Sequence, residues 1–284
     1  MSLITLSEII SVAKEKNTAV GAFSVGNMEM VEGAVKAAEE LKTPIILQIA
    51  EVRLPTSPLH LMGPMMISVA KKSDLPICVH LDHGLHIETV EEALELGFSS
   101  VMFDGSLLTF SENIEAVKKV KKLADAKGAS VEAELGVVGG NEGEGKAHAI
   151  QCTDPELAKE FCEKTGIDAL AVAIGNAHGH YPVAPQLRLD VLENINKLTD
   201  TPLVLHGGTG ITPQDFRECI KRGVRKINIA TAGFDSLTTG AKKYFDTNEK
   251  KNFFGLSEYE MLGVYENTKK HINIFNMEKE IKEC

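Results

Sequence analysis

The chain has 284 residues, 43% of them hydrophobic, with 40 acidic against 30 basic side chains and a formal net charge of -10. That length buries one large core or two modest ones. The acidic balance, with no basic block or tail, argues against a nucleic-acid or acidic-membrane surface but leaves room for a small anionic metabolite held by a few local groups. No apolar run approaches the roughly 20 residues of a membrane helix. The cysteines at 78, 152, 162, 219 and 284 lack paired metal spacing, and their odd number leaves one over in any intrachain disulfide scheme, which points to a reducing, cytoplasmic setting.

In chain order, MSLITLSEIISVAKEKN reads as an amphipathic opening helix rather than a signal peptide, because acidic and basic residues interrupt it. Short apolar runs then recur at 18–27, 44–51, 76–84, 99–106, 130–136, 167–179, 201–210 and 224–231. Between them lie segments such as VEEALELGF, ENIEAVKKVKKLADAKG and DPELAKEFCEKTG, with apolar residues every three or four positions and a glycine at or near the end. Eight such units predict an α/β fold of the (β/α)8 TIM-barrel type. A Rossmann-like sheet would need fewer strands and a glycine-rich loop after the first, which GAFSVGN does not supply. Unit spacing is even to Thr231, so residues 1–284 are expected to form a single domain, with a barrel core over 1–231 and a helical C-terminal extension over 232–284.

In each unit the apolar stretch comes first and the reactive residue last. VHLDHG (79–84) brings His80, Asp82 and His83 to the end of strand 3; Asp104 is expected to end strand 4, Glu132 and Glu134 strand 5, His178 strand 6, His206 strand 7, and Asn228 and Thr231 strand 8. Strand ends converge at the C-terminal mouth of a barrel. Several carboxylates buried together need a cation. A lone histidine at a strand end is usually a satisfied structural residue. His83, His178 and His206 from three strand ends instead fit a zinc ion with one position left open, with Asp104 and Glu134 as surrounding or alternative ligands. His80 is expected to pack and hydrogen-bond, and His180 is the alternative to His178. HGGTG (206–210) and NIAT (228–231) place flexible backbone and the Thr209 and Thr231 hydroxyls where barrels often hold phosphate. The lysine-rich runs read as solvated helix faces.

VHLDHG, FDGS (103–106), VEAELGVVGG (131–140), AVAIGNAHGHY (171–181), LVLHGGTG (203–210) and KINIAT (226–231) together resemble the class II, zinc-dependent fructose/tagatose-bisphosphate aldolases, in matching order from about residue 5 to 231. The resemblance implies that Asp82 protonates the aldehyde oxygen beside the first zinc ligand, His83, with His178 and His206 as the other ligands. It implies that Asp104 and Glu134 flank the metal, and that Glu142 moves the proton next to the ketone. Gly179, Gly207, Gly208, Thr209, Asn228, Ala230 and Thr231 match positions that hold dihydroxyacetone phosphate. A monovalent cation (Na+ or K+) near the phosphate and a homodimer or homotetramer are implied as well.

The sequence also departs from the family. Ser24 follows Phe23 where many relatives have an asparagine, Ala50 carries no hydroxyl, and TNEKKNFFG stands where an Asp-Pro-Arg segment would read a second phosphate. Arg53, Lys250 and Lys251 are the replacement candidates. The expected reaction is reversible aldol cleavage of a ketose 1,6-bisphosphate, fructose or tagatose type. The alternatives are an aldolase for a ketose 1-phosphate or deoxy-keto-sugar phosphate, and a non-catalytic sugar-phosphate-binding subunit.

Overall fold

The computed structural model describes residues 2–140, 150–181 and 185–278. Eight parallel strands close a barrel: β1 (Val20–Ser24), β2 (Ile45–Ala50), β3 (Ile77–Gly84), β4 (Ser100–Phe103), β5 (Ser130–Leu135), β6 (Ala169–Val172), β7 (Leu203–Leu205) and β8 (Val224–Ile229), with β1 paired to both β2 and β8. This is the (β/α)8 barrel expected from the eight repeated units, with extra helices at the C-terminal end.

The opening helix α1 (Leu6–Lys16) does not flank the barrel. Its start is fixed by reciprocal bonds between Thr5 and Glu8. Its apolar face, Leu6, Ile9 and Ile10, is buried with the inward residues Val20, Ala22, Ile46, Cys78, Met102, Ala169, Ala171 and Val204. Apolar side chains thus fill the barrel beside α1, at the N-terminal end of the strands. The strands' outward residues form the second core with the surrounding helices α2 (Met28–Leu41), α3 (Leu59–Lys72), α4 (Ile87–Leu96), α5 (Phe110–Lys127), α6 (Pro155–Thr165), α7 (Leu189–Leu198) and α8 (Pro213–Lys221). Polar chemistry is left to the opposite, C-terminal mouth.

After β8 come α9 (Thr231–Thr247) and α10 (Phe253–Phe275). They run antiparallel and close together: a side chain added at Gly240 would strike Tyr259, and one at Gly263 would strike Ser236. The end of α10 returns to the barrel, where Phe275 is buried against Phe216 and its carbonyl accepts from Ala19 N–H.

Two expected strands are shorter than the apolar runs that announced them. β6 ends at Val172, and His178 sits beyond it on a two-residue strand, Ala177–His178, paired in parallel with Gly139–Gly140. Thr231 opens α9 rather than ending β8. Past Val172 the apolar run continues through Ala173 and Ile174, which are buried without belonging to the strand.

Candidate active site

The site begins with a break in the strand rule. Neighbouring strand residues point to opposite faces, yet Asp82 and His83 both reach the mouth. The β3–β4 register shifts between Leu81 and Gly84, and His83 adopts a left-handed backbone with φ 42°. A bulge of this kind re-aims a side chain, and a non-glycine residue at positive φ stores strain of about 1–3 kcal/mol that surrounding contacts must offset.

Those contacts are specific. His83 Nδ1 lies 2.8 Å from Asp104 Oδ2, just past the end of β4. Burial works to raise the Asp104 carboxyl, but its bonds to the His83 ring and to Ser106 hold it well below the usual carboxylate range. On the other side of the mouth His206 Nε2 lies 2.8 Å from Glu132 Oε1. His206 and Glu132 are fully buried, and burial, then the neighbouring His83, keeps the His206 imidazole uncharged, its pKa well below the ordinary value. The same two causes, in the same order, act on His178.

The tautomers follow from these partners. A carboxylate accepts only, so His83 donates from Nδ1 and His206 from Nε2, leaving His83 Nε2 and His206 Nδ1 as lone-pair nitrogens. These two atoms face one another at 2.7 Å. Two lone pairs at that distance repel unless a positive centre lies between or beside them. The His178 ring stands edge-on to His83 with centroids 5.0 Å apart, and ligand atoms of His83, His178 and His206 all fall within 4.8 Å of one another. A second set, His83, Asp104 and Glu134, meets the same limit. Three imidazoles, two of them oriented by a carboxylate, and two adjacent carboxylates are the donor set of a divalent cation. His180 is not in either set; it is exposed and paired with Asp235 at 3.2 Å.

His178 is held from the backbone. Gly140, at φ 84°, passes so close that a side chain there would meet the His178 carbonyl. Gly207, at φ 64°, likewise abuts the Ala177 carbonyl, and Tyr181 ties the two segments by accepting from Ala177 N–H and donating to Gly207 O, both at 2.8 Å. Asn176, fully buried, donates to His206 O at 3.0 Å.

Asp82, 1% exposed, accepts from two carboxamides: Gln48 at 2.8 Å and Asn228 at 3.1 Å. His80 is a supporting residue, as expected, with Nδ1 2.8 Å from Ser100 Oγ. A pocket beside these groups is lined by Ser24, Ala50, Arg53, His178, Gly179, Ala230, Thr231 and Phe234. It reaches the N-terminus of α9, whose N-cap residue Ala230 has no side chain to cap the first turn, and the positive end of the helix favours an anion there. Thr209 Oγ1 accepts from Ala232 N–H at 3.0 Å, and the Gly208 N–H is spent on Asn228 O at 3.2 Å. Arg53 stacks on Phe234, 5.5 Å from the ring centroid. Glu142 lies outside the described residues.

The family model for class II fructose-bisphosphate aldolases matches residues 4–280. The chain belongs to that family. Its buried histidine and carboxylate cluster matches a class II aldolase metal site. A fructose-bisphosphate aldolase from Giardia intestinalis is 39% identical over 278 residues, spanning 88% of this chain and 85% of the relative. A probable fructose-bisphosphate aldolase from Bacillus subtilis is 42% identical over 239 residues, spanning 81% and 82%. Among solved structures, the YdjI aldolase of Escherichia coli K12 superposes with a TM-score of 0.86 at 34% identity, covering 96% of this chain and 97% of that one.

Sequence reasoning missed Gln48, Asn176, Tyr181 and Lys226. Gln48 and Lys226 are legible in principle: each is a polar residue inside an apolar strand run, and Lys226 is two positions from Asn228, so both share a face.

Proposed function

We propose that this aldolase cleaves and forms a ketose 1,6-bisphosphate, of fructose or tagatose type, through dihydroxyacetone phosphate and an aldehyde such as glyceraldehyde 3-phosphate. The observation that carries the reading is the convergence of two lone-pair imidazole nitrogens beside a buried Asp82. A binding subunit would need the ligands and the anion pocket, but not a carboxylate held ready next to them.

The metal reading is zinc, held by His83, His178 and His206, with Asp104 and Glu134 as neighbours or an alternative set. When bound, a divalent cation supplies Lewis-acid polarisation of the ketone. The chain's own residues do the rest. Gln48 and Asn228 orient the Asp82 carboxylate, which takes the hydroxyl proton in cleavage and returns it to the aldehyde oxygen in condensation. Glu142, assigned from its motif, moves the proton on the carbon beside the ketone. The N-terminus of α9 at Ala230 and Thr231, with Gly179, Gly207, Gly208 and Thr209, takes the phosphate, and Asn228 stands between that end and Asp82. A sodium or potassium ion near the phosphate and a homodimer or homotetramer complete the reading. The exposed Phe245, Phe253 and Phe254 on α9 and α10 support self-association.

A second reading, an aldehyde without a terminal phosphate, is favoured by Ala50 and Ser24 in the pocket wall, which leave Arg53 as its one lysine or arginine among the described residues. Incubating the purified protein with dihydroxyacetone phosphate and a panel of phosphorylated and unphosphorylated aldehydes tests both. Products with phosphorylated aldehydes support the first reading, products confined to unphosphorylated ones support the second, and no product from fully metallated protein supports the binding subunit.

A further inference from the structure

Lys226 is a lysine with no exposed surface, inside β8. Its Nζ lies 2.9 Å from Glu132 Oε2, also fully buried, and donates to Asn228 Oδ1 at 2.7 Å. Barrel closure does not require it, because β8 is joined to β1 and β7 by backbone pairing. Buried ion pairs are often replaceable by apolar residues at no loss of stability. Stability therefore gives little reason for an ammonium in this position.

Its two contacts lead to the two halves of the site. Through Glu132, the carboxylate is kept as an acceptor whose other oxygen meets His206 Nε2 at 2.8 Å, which leaves His206 Nδ1 as the atom facing His83. Through Asn228, the bond to Oδ1 fixes the carboxamide so that Nδ2 points at Asp82 Oδ1, 3.1 Å away. A flipped amide would set oxygen against carboxylate. We infer that Lys226 is a positioning residue that orients the metal-facing nitrogen of His206 and the carboxylate of Asp82 together. The inference rests on the roles proposed for those two residues. No proton leaves or joins Lys226 in this role.

The test combines Lys226→Met with the same change in a Glu132→Gln background, where no buried ion is left unpaired. Zinc affinity is read by competition with a chromophoric chelator, separately from turnover. The single variant should lose about 10–100-fold in zinc affinity, the usual cost of removing a group that orients a ligand. Its kcat should fall while KM stays within about threefold. In the Glu132→Gln background, Lys226→Met should leave zinc affinity where Glu132→Gln put it, because both act through one chain. At saturating zinc it should still lower kcat about tenfold further, through the freed Asn228. The proposal is overturned if folded Lys226→Met keeps zinc affinity and kcat within about threefold of the parent. It is equally overturned if the double variant, which decides the matter should the single one not fold, matches Glu132→Gln in kcat or also fails to fold. An unsubstituted protein that takes up no zinc and forms no aldol product contradicts the functional reading instead, and shows this before any variant is made.

Discussion

His83 Nε2 and His206 Nδ1 face one another at 2.7 Å, each left with a lone pair because its other ring nitrogen meets a carboxylate, Asp104 or Glu132. The arrangement is costly without a cation. Removing either carboxylate relaxes the tautomer that makes it. Asp104→Asn should therefore weaken zinc binding by about 10–100-fold, measured by chelator competition, without unfolding the barrel. Unchanged affinity would separate Asp104 from the metal.

In the proposed mechanism Asp82 contributes to the reaction rather than to the donor set. Asp82→Ala should leave zinc content near normal and lower carbon–carbon bond turnover by about 100–10,000-fold, the range for loss of a general acid or base. Metal analysis beside steady-state rates checks it. Loss of zinc would reassign Asp82 as a ligand.

Arg53 is the charged wall of the pocket, since Lys251 instead bonds Asn248 O at the far end of α9. If the aldehyde carries a terminal phosphate, Arg53→Met should raise KM for the bisphosphate about tenfold or more and leave the rate with an unphosphorylated aldehyde little changed. Equal effects on both would remove Arg53 from substrate discrimination.

His271 gives a pH dependence apart from the site. It packs against Phe216 and Phe275, and burial lowers its pKa from 6.5 to about 4 despite the bond from Nδ1–H to Asn267 O. Between those values the unfolded chain binds the proton and the folded chain does not, so this contribution to stability is full above pH 6.5, falls as pH drops, and levels off below about 4. The loss is on the order of 3 kcal/mol. His271→Gln keeps a donor without the titration, and thermal melts of both proteins from pH 7 to 4 should show the shallower decline in the variant.

Much of the fold and half of the site are legible in the sequence. Eight apolar runs separated by helical spacing define the barrel, and VHLDHG already carries the oddity that becomes the centre of the site. Period-2 alternation does not show how adjacent Asp82 and His83 both serve the mouth, because the answer is a bulge and a left-handed residue, a long-range pairing effect. The apolar approach to His178 predicts a strand end there, whereas its position depends on a pairing between Gly139–Gly140 and Ala177–His178 that joins two loops. The sequence marks Lys226 as a polar residue within an apolar run but not its partner, which only the meeting of β8 with Glu132 of β5 across the barrel reveals.

The most direct test of the central claim is hydrogen exchange at the reacting carbon of dihydroxyacetone phosphate in deuterated water, followed by proton NMR with no aldehyde present. Zinc-loaded protein should exchange one hydrogen stereospecifically, chelated protein should not, and added zinc should restore the rate. Exchange that persists undiminished after complete metal removal would contradict the account.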